Sequence, residues 1–503
     1  MFHKMSACFL QGLEGQALEI ECCLTQGFPY FRIVGLPAAS ASECRERIRA
    51  ACKSTGLPLP SERVSVNLRP AQGSRSSLLD LPIVLGLLAC QHLIPPDSTA
   101  DTVFLGELSL DGHLQPLSGA LSFARWAAAA GYQRLMLPAA NAAEASMVQG
   151  IRIIAVASLQ EACDFLRYGT LSPLPSEAGD SSASEAAPAD IDRFEIKGQE
   201  NAKRALIIAA AGFHNLLLVG PPGIGKTMLA KALPGILPPL ETEEKLQLLQ
   251  IYGAAGKKYE SSFRPFRSPH HTVPLTSLLG GGASPKPGEI SLADHGVLFL
   301  DELSEYSRDC LESLRLPLED HSVRLQRLKE AAVYPADFLL IAGMNPCPCG
   351  YAPDRSRCRC TEPQIERYLQ KVSGPLLDRI DIVYRLNTPS DEDLFSRSRP
   401  CQSSAEAAAL IRPALDLQKK RFAGSMTAHN SRMTREELER FCVLSAEDGA
   451  FLQQAFTALS LSARSYRKVL LLARTIADLA GEERIGRAHL AEALSYRGSG
   501  LFP

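Results

Sequence analysis

One eight-residue motif constrains the fold of this chain more than any other feature. The motif consists of Gly220, Pro221, Pro222, Gly223, Ile224, Gly225, Lys226 and Thr227. The apolar run at 216–219 (LLLV) precedes it and suits a buried parallel strand, and the segment MLAKAL that follows suits a helix. A complete G-x-x-x-x-G-K-T between a strand and a helix is the context that a P-loop requires. The sequence therefore predicts an α/β domain that binds phosphates.

The residue types in this motif explain how it would hold a nucleotide. Its glycines let backbone N–H groups turn toward phosphate oxygens, and the helix N-terminus adds a favourable dipole. Lys226 would bridge the β- and γ-phosphates, and Thr227 would coordinate Mg²⁺. An ordinary glycine turn with an exposed lysine is the weaker alternative. ATP and Mg²⁺ are the predicted cofactors.

A second apolar run, at 296–300 (GVLFL), ends in two carboxylates and matches a Walker B segment. Asp301 would hold Mg²⁺ through water, and Glu302 would polarise the attacking water as a general base. Two acidic residues at the end of a strand are common, but downstream of a P-loop they are specific. Together the two motifs predict hydrolysis of ATP rather than binding alone.

Length and composition predict how the chain is divided. A chain of 503 residues suggests about two to four domains. The segment 169–192 contains no Lys or Arg and few large apolar residues, so it cannot bury enough surface to offset its ordering entropy. We expect a flexible linker there, between a domain at 1–168 and an ATPase core at 193–392, with a helical C-terminal domain at 393–503.

Charge argues against a globally basic nucleic-acid-binding protein, and hydropathy argues against a membrane-spanning one. The net charge is 53 − 55 = −2, so any site for DNA must be a local basic patch. No stretch approaches the roughly 18–20 apolar residues of a membrane span, and the N-terminus lacks the apolar core of a signal peptide. With fourteen cysteines in so long a chain, we read most as reduced, buried thiols. We expect a cytoplasmic protein without membrane contact.

The first domain alternates strand-like and helix-like segments and is predicted to be mixed α/β. The expected strands are Ala17–Cys23, Arg63–Leu68, Thr102–Gly106, Arg134–Pro138 and Ile151–Val156. The expected helices are Ala39–Ser54, Leu81–Gln91, Leu121–Gly131 and Ser158–Arg167.

The run VFLGELSLDG at 103–112 resembles the S5/Lon-like α/β fold that ribosomal protein S5 shares with the Lon protease domain. The Ser/Lys dyad of Lon is missing from the matching segments. Ser74, Ser76 and Ser77 read as turn residues because nothing activates them, so we expect no proteolytic activity.

The remaining segments carry a more specific resemblance. In order they are RSPHHTVPLTSLLGGG, PGEISLADHGVLFLDEL, LESLRLPLED, NPCPCG and SGPLLDRIDI. They resemble the magnesium-chelatase I-subunit family of AAA+ ATPases and, more closely, its bacterial ComM/YifB branch. The resemblance covers nearly the whole chain outside the linker. It implies a P-loop doubly wound parallel sheet with a helical C-terminal lid bundle, joined to the S5/Lon-like domain.

The AAA+ resemblance also implies roles for residues outside the two motifs. Asn345 would be sensor 1, which helps position the water near the γ-phosphate. Arg379 would be an arginine finger acting on the neighbouring subunit's nucleotide, which requires a ring. A surface salt bridge with Asp378 or Asp381 is the alternative for Arg379. Arg464 is the sensor 2 candidate, with Arg467 as the competing choice.

Members of the ComM/YifB branch are understood as hexameric DNA helicases that promote branch migration during natural transformation. For this chain the resemblance implies a homo-oligomer, expected to be a hexamer, acting on single-stranded or branched DNA, with recombination proteins as candidate partners. One alternative is an unfoldase or metal-chelatase-like motor acting on a protein, with aromatic pore residues weakly suggested by Tyr252, Tyr259 and Phe263. A nucleotide-gated scaffold is the other, and Glu302 and Arg379 argue against it.

Two segments could supply the basic patch that DNA requires. Residues 255–290 carry a net charge of 5 − 2 = +3 and contain three successive glycines, so they could form a mobile pore loop. Residues 317–334 suggest a hairpin. The basic residues are Lys257, Lys258, Arg264, Arg267 and Lys286 in the first segment and Arg324, Arg327 and Lys329 in the second, with Arg315 just before it. Contacts with phosphates would be independent of base sequence and sensitive to salt, although each residue alone could simply be solvated.

Two further positions qualify this interpretation. Asp337 stands where the family is expected to have arginine, which puts one DNA or intersubunit contact in doubt. His270 and His271 are adjacent and make a poor metal pair, so we interpret them as packing or loop contacts.

Four of the cysteines fall close together in the sequence: Cys347, Cys349, Cys358 and Cys360. Two Cys-x-Cys pairs could give four thiolates to one tetrahedral Zn²⁺, which would be structural because no ligand position stays open. Free thiols or a redox pair are the alternatives. Arg355, Arg357 and Arg359 lie in the same loop and could present positive charge to DNA or to a neighbouring subunit.

Overall fold

The structure is a computed structural model that describes residues 1–71, 77–170, 194, 199–261, 263–282, 285–326, 331–386, 403–425, 427–459 and 461–497. Several sequence predictions lie outside these residues. They are the linker from 171 to 192, the boundary at 392–393, Ser74, Ser76, Arg327 and Lys329.

The strands are β1 Phe2–Gln11, β2 Glu14–Thr25, β3 Tyr30–Val34, β4 Arg63–Arg69, β5 Thr102–Phe104, β6 Glu107–Leu108, β7 Leu114–Gln115, β8 Arg134–Pro138, β9 Arg152–Val156, β10 Leu216–Val219, β11 Phe266–Arg267, β12 Gly280–Gly281, β13 Lys286–Pro287, β14 Val297–Leu300, β15 Ser322–Gln326, β16 Ala331–Pro335, β17 Leu339–Met344 and β18 Ile382–Arg385.

The helices are α1 Ala38–Thr55, α2 Asp80–Cys90, α3 Ala120–Ala129, α4 Ala142–Ala145, α5 Leu159–Tyr168, α6 Glu200–Gly212, α7 Lys226–Ala232, α8 Thr242–Ala254, α9 Leu275–Leu279, α10 Glu289–Leu292, α11 Arg308–Ser313, α12 Pro317–Asp320, α13 Glu362–Leu369, α14 Gly374–Leu377, α15 Ser404–Arg421, α16 Arg435–Phe441, α17 Ala446–Ala458, α18 Ala463–Ala480 and α19 Arg487–Ser495. Among the described residues, no helix is both long enough and apolar enough to cross a membrane.

The N-terminal residues form a mixed sheet in the order β3-β4-β2-β1-β5-β8-β9. Every predicted strand and helix of this part overlaps an observed one. Sequence reasoning missed β1 and β3. The first of these pairs antiparallel with β2 from Phe2 opposite Cys23 to Gln11 opposite Glu14, and three of its ten residues and four of the twelve in β2 are buried. The mixed α/β prediction is confirmed, whereas the S5/Lon-like resemblance stays a prediction.

The ATPase core is built on a parallel sheet in the order β11-β14-β17-β10-β18. The side chains of β10, β14 and β17 are buried throughout, which explains their nearly continuous apolar sequence. The P-loop follows β10, Asp301 follows β14, and Asn345 follows β17. The parallel arrangement therefore brings all three to one edge of the sheet, where α/β folds bind ligands.

The predicted hairpin ahead of the sensor strand is confirmed as β15 and β16, which pair antiparallel. It touches the N-terminal part of the molecule, because Gln11 Nε2 donates to the Ala331 carbonyl at 2.9 Å. A second contact joins α3 to α8: Gln250 Nε2 donates to Ser122 Oγ at 3.0 Å, and Arg125 Nη1 donates to Gln250 Oε1 at 3.2 Å. The two regions thus pack directly against each other.

Candidate nucleotide-binding site

The P-loop connects β10 to α7 and encloses the side chain of Lys226. Gly223 and Gly225 have φ angles of 77° and 99°, a left-handed conformation that glycine adopts without strain. Lys226 Nζ donates to the carbonyls of Gly220 and Pro221 at 2.7 and 3.0 Å and to Asn345 Oδ1 at 2.9 Å. Burial lowers the pKa of the Lys226 ammonium. The lysine is therefore held at the centre of the loop, in contact with the predicted sensor 1.

Thr227 and Asp301 meet across the sheet edge. Thr227 Oγ1 donates to Asp301 Oδ2 at 2.7 Å, and the Glu302 backbone N–H donates to Asp301 Oδ1 at 3.0 Å. A hydroxyl and a carboxylate side by side are the oxygen donors that Mg²⁺ prefers. This pair could hold Mg²⁺ at the edge of the phosphate loop, so the chemistry of the donors fits the predicted cofactor.

Glu302 stands at a strained position beside this pair. Its φ of 51° is a left-handed conformation that costs a non-glycine residue about 1–3 kcal/mol and recurs at functional sites. The carboxylate is half exposed, and its Oε2 lies 3.6 Å from His271 Nδ1. It is therefore free to meet a water molecule.

His271 is a site residue that sequence reasoning did not identify, because it was interpreted as a loop contact. Only the distance to Glu302 reveals it. The ring of the adjacent His270 packs against it at a tilt of 34°, with ring centroids 4.1 Å apart.

The predicted finger and sensor 2 arginines lie together in a separate cavity of about 330 Å³. Its basic lining residues are Arg379, Arg432, Arg464, Arg467 and Lys468. Glu319, Asp378 and Asp381 also line it. Although burial opposes the effect, Lys468 and His214 hold the pKa of the Asp381 carboxyl well below its usual range.

Each of these arginines is paired within its own chain. Arg379 Nη2 donates to Glu319, and Arg379 Nε donates to the Arg315 carbonyl at 3.0 Å. Arg379 therefore makes its salt bridge with Glu319 and not with Asp378 or Asp381, the partners considered in the alternative; those two carboxylates pair with Arg464 and Lys468. Arg464 Nη1 donates to Asp378 Oδ2 at 3.1 Å, whereas Arg467 Nη2 donates to the Met433 carbonyl.

Some of the predicted basic patch is not available to DNA. Arg264 is buried and pairs with Glu244 through two hydrogen bonds of 3.0 and 2.8 Å. Arg267 makes a bidentate pair with Glu289 at 2.6 and 2.7 Å. Both arginines are held by carboxylates of their own chain; Arg264 is shielded from solvent, whereas Arg267 stays partly exposed. Within the described parts of the two segments, the exposed basic residues are Lys257, Lys258, Lys286 and Arg324.

Asp337, the expected departure from the family pattern, has a structural role. Its Oδ1 accepts from Arg432 Nη2 at 2.9 Å. Burial alone would raise the pKa of Asp337, but Arg432 and nearby histidines bring it below its ordinary value. The carboxylate thus ties the sheet to the segment ahead of α16.

The four clustered cysteines lie in the loop between β17 and α13, directly after Asn345. Their sulfur atoms all lie within 4.8 Å of one another. The loop contacts the P-loop, since a Cβ placed on Gly350 would come within 2.6 Å of Pro222 Cδ.

Comparison with known proteins gives matches over most of the chain. The family described as magnesium chelatase, subunit ChlI, matches residues 192–394. The family of the ChlI C-terminal region matches 401–497, and a further ChlI family matches 20–141.

Three relatives that match this chain over nearly its full length have similar sequence identity to it. The chain is 39% identical to the uncharacterized protein YifB of Salmonella typhimurium over 97% of this chain and 95% of that protein. It is 38% identical, with the same coverage, to the competence protein ComM of Haemophilus influenzae. An uncharacterized protein of Mycobacterium tuberculosis is 37% identical over 98% of this chain and 97% of its own length.

Proposed function

This chain belongs to the ComM/YifB family of magnesium-chelatase-like AAA+ ATPases, and we propose that it is a ring-forming DNA motor. On this proposal it uses ATP hydrolysis for helicase action and branch migration, in homologous recombination during natural transformation. The proposed assembly is a hexamer that encloses single-stranded or branched DNA, with recombination proteins as further partners.

The separation of the two site halves supports the ring. The phosphate loop contains Lys226 and Thr227 and contacts Asn345. A different cavity of the same chain is lined by Arg379 and Arg464. Arginines stabilise the charge of a transferring phosphoryl group only when they reach it. A neighbouring subunit could deliver its arginine cavity to the open phosphate loop. A head-to-tail contact of that kind closes into a ring when its rotation permits.

Within such a site, different side chains of this chain would bind phosphate, position the attacking water and accept its proton. Lys226 would exchange its carbonyl partners for phosphate oxygens, and Asn345 would turn its amide to the attacking water. Glu302 would accept the proton of that water. Mg²⁺, when bound at Thr227 and Asp301, would neutralise phosphate charge.

Two observations favour DNA as the substrate. One relative is named a competence protein, and competence concerns the uptake of DNA. In addition, Lys258, Lys286 and Arg324 are exposed on the insert and the hairpin. Lysine and arginine contacts with phosphates account for sequence-independent DNA binding.

A protein-remodelling motor has less support. Tyr252 is buried and donates to the Leu292 carbonyl at 3.0 Å, and the Tyr259 ring packs on it with centroids 4.9 Å apart. Of the three aromatic residues that suggested an unfoldase, only Phe263 is well exposed.

The test is steady-state ATP turnover with and without single-stranded DNA and a four-way junction, with Lys226→Ala as the blank. We expect severalfold stimulation that weakens as salt rises. The test variant carries three substitutions, Lys258→Glu, Lys286→Glu and Arg324→Glu. DNA should no longer stimulate its ATP turnover, and its turnover with DNA should depend less on salt.

The matched control changes three exposed residues elsewhere: Lys53→Glu, Arg412→Glu and Lys420→Glu. In this control, DNA should stimulate ATP turnover as strongly as in the wild type. Good turnover that is indifferent to every DNA would contradict the proposal and would direct attention to a protein substrate.

A further inference from the structure

The sulfur atoms of the cysteine loop have the spacing of ligands around one ion. Cys347 Sγ lies 3.4 Å from Cys349 Sγ and 3.8 Å from Cys358 Sγ, and the latter two are 3.6 Å apart. In a tetrahedral site with Zn–S bonds of about 2.3 Å, neighbouring sulfurs lie about 3.8 Å apart. A disulfide would bring two sulfurs to about 2.0 Å. The observed spacing therefore fits a tetrathiolate metal site, not two disulfides.

The surroundings of the sulfurs also suit a fixed metal site. Cys347 is fully buried, and its Sγ accepts a hydrogen bond from the Ala352 backbone N–H at 3.4 Å. The Arg357 guanidinium lies over the Tyr351 ring, 4.2 Å from its centroid, so the loop that carries the thiols also carries positive charge. Four thiolates around one divalent cation carry a net charge of −2, so nearby arginine is favourable. Four sulfur ligands in tetrahedral array favour zinc and leave no position open for catalysis.

The same loop contacts the nucleotide site from two directions. Gly350, with φ of 85°, packs so closely on Pro222 of the P-loop that a side chain there would collide. The Ala352 carbonyl accepts from Arg385 Nη2 at 2.9 Å, and Arg385 pairs in register with Val219, the last residue before the P-loop. Cys347 itself is separated from Asn345 by only one residue.

We propose that this loop binds one structural zinc ion and that the ion holds the P-loop and Asn345 in the geometry that binds ATP. The ligands are Cys347, Cys349, Cys358 and Cys360. The arginine contact and the glycine contact would transmit the rigidity of the metal site to the phosphate loop. The inference rests on ATP binding at the P-loop but requires no DNA.

The test uses the full chain, purified without a metal-affinity step from cells grown with zinc. Metal content is measured by mass spectrometry, and the Kd of a fluorescent ATP analogue is measured without DNA. We expect about one zinc per chain in the wild type. Cys358→Ser should lose the ion and weaken nucleotide binding by about tenfold, whereas Cys358→His should keep both properties because zinc accepts three cysteines and one histidine.

The matched control is Cys23→Ser, which removes a partly exposed cysteine far along the chain from this loop. It should keep zinc and the wild-type Kd. Wild-type protein that contains no zinc, or contains iron, overturns the metal assignment even if the serine variant fails to fold. Loss of zinc from Cys358→Ser with an unchanged Kd overturns the coupling to the P-loop. Neither readout involves DNA, so failure of the DNA proposal would leave both results intact.

Discussion

In the proposed ring the phosphate loop and the arginine cavity are two halves of one active site, but only the loop has its predicted residues in mutual contact within a single chain. In the loop, Lys226 already contacts Asn345, and Thr227 already contacts Asp301. In the cavity, Arg379 and Arg464 instead pair with acidic residues of their own chain, Glu319 and Asp378. On the proposed ring, binding of ATP would be a property of one subunit, whereas fast hydrolysis would require two.

Replacing the loop lysine should produce the largest effect. Lys226→Ala removes the only side-chain cation that the P-loop motif supplies, so we expect ATP turnover to fall by about 10³-fold and nucleotide binding to weaken with it. Lys231→Ala, which removes an exposed lysine from the same helix, should change turnover little. Both are measured by steady-state ATPase assay and by titration with a fluorescent ATP analogue.

Replacing the cavity arginine should distinguish its effect on ATP turnover from the effect of the phosphate loop on ATP binding. Arg379→Ala should lower turnover by about 10³-fold while the Kd for ATP stays near wild type, because the proposed ring places this arginine at the neighbour's nucleotide. Arg435→Ala, an exposed arginine remote in sequence, is the control. A parallel loss of nucleotide affinity in Arg379→Ala would mean that the residue supports its own chain's loop.

Replacing the acidic residue after the Walker B strand tests the proton acceptor. Glu302→Gln keeps the shape of the side chain but removes its basicity, so turnover should fall by about 10²-fold or more with ATP still bound. A variant that hydrolyses ATP at half the wild-type rate would assign the proton to another group.

The smallest expected difference lies between the two sensor 2 candidates. Both residues are exposed, but Arg464 is held by one ion pair with Asp378, whereas Arg467 donates to the Met433 carbonyl. We expect Arg464→Ala to reduce turnover by about tenfold, because it loses a charged contact with phosphate. Arg467→Ala should instead lower the unfolding temperature. Comparison of the two turnover numbers and melting curves assigns the role.

The parts of this molecule that sequence reasoning predicted are those with local signals. The P-loop follows from its glycines, and β10, β14 and β17 follow from short apolar runs that suit a buried parallel strand. The hairpin of β15 and β16 was also predicted, from its position ahead of the sensor strand.

The contacts that were missed depend on residues distant in the sequence. Arg264 looked like part of a DNA patch, but Glu244 and surrounding carbonyls bury it. His271 gave no local signal of its contact with Glu302, because the insert brings them together only in the folded chain. Likewise, Glu319 emerged as the partner of Arg379 only from the tertiary structure.

The most direct test of a two-chain active site is a mixing experiment. Arg379→Ala keeps its phosphate loop and Lys226→Ala keeps its arginine cavity, so co-assembly rebuilds complete sites where the two meet in the right order. A random equal mixture should recover about a quarter of wild-type turnover, since about a quarter of head-to-tail interfaces would then be complete. A mixture no more active than the average of the two variants alone would contradict the account.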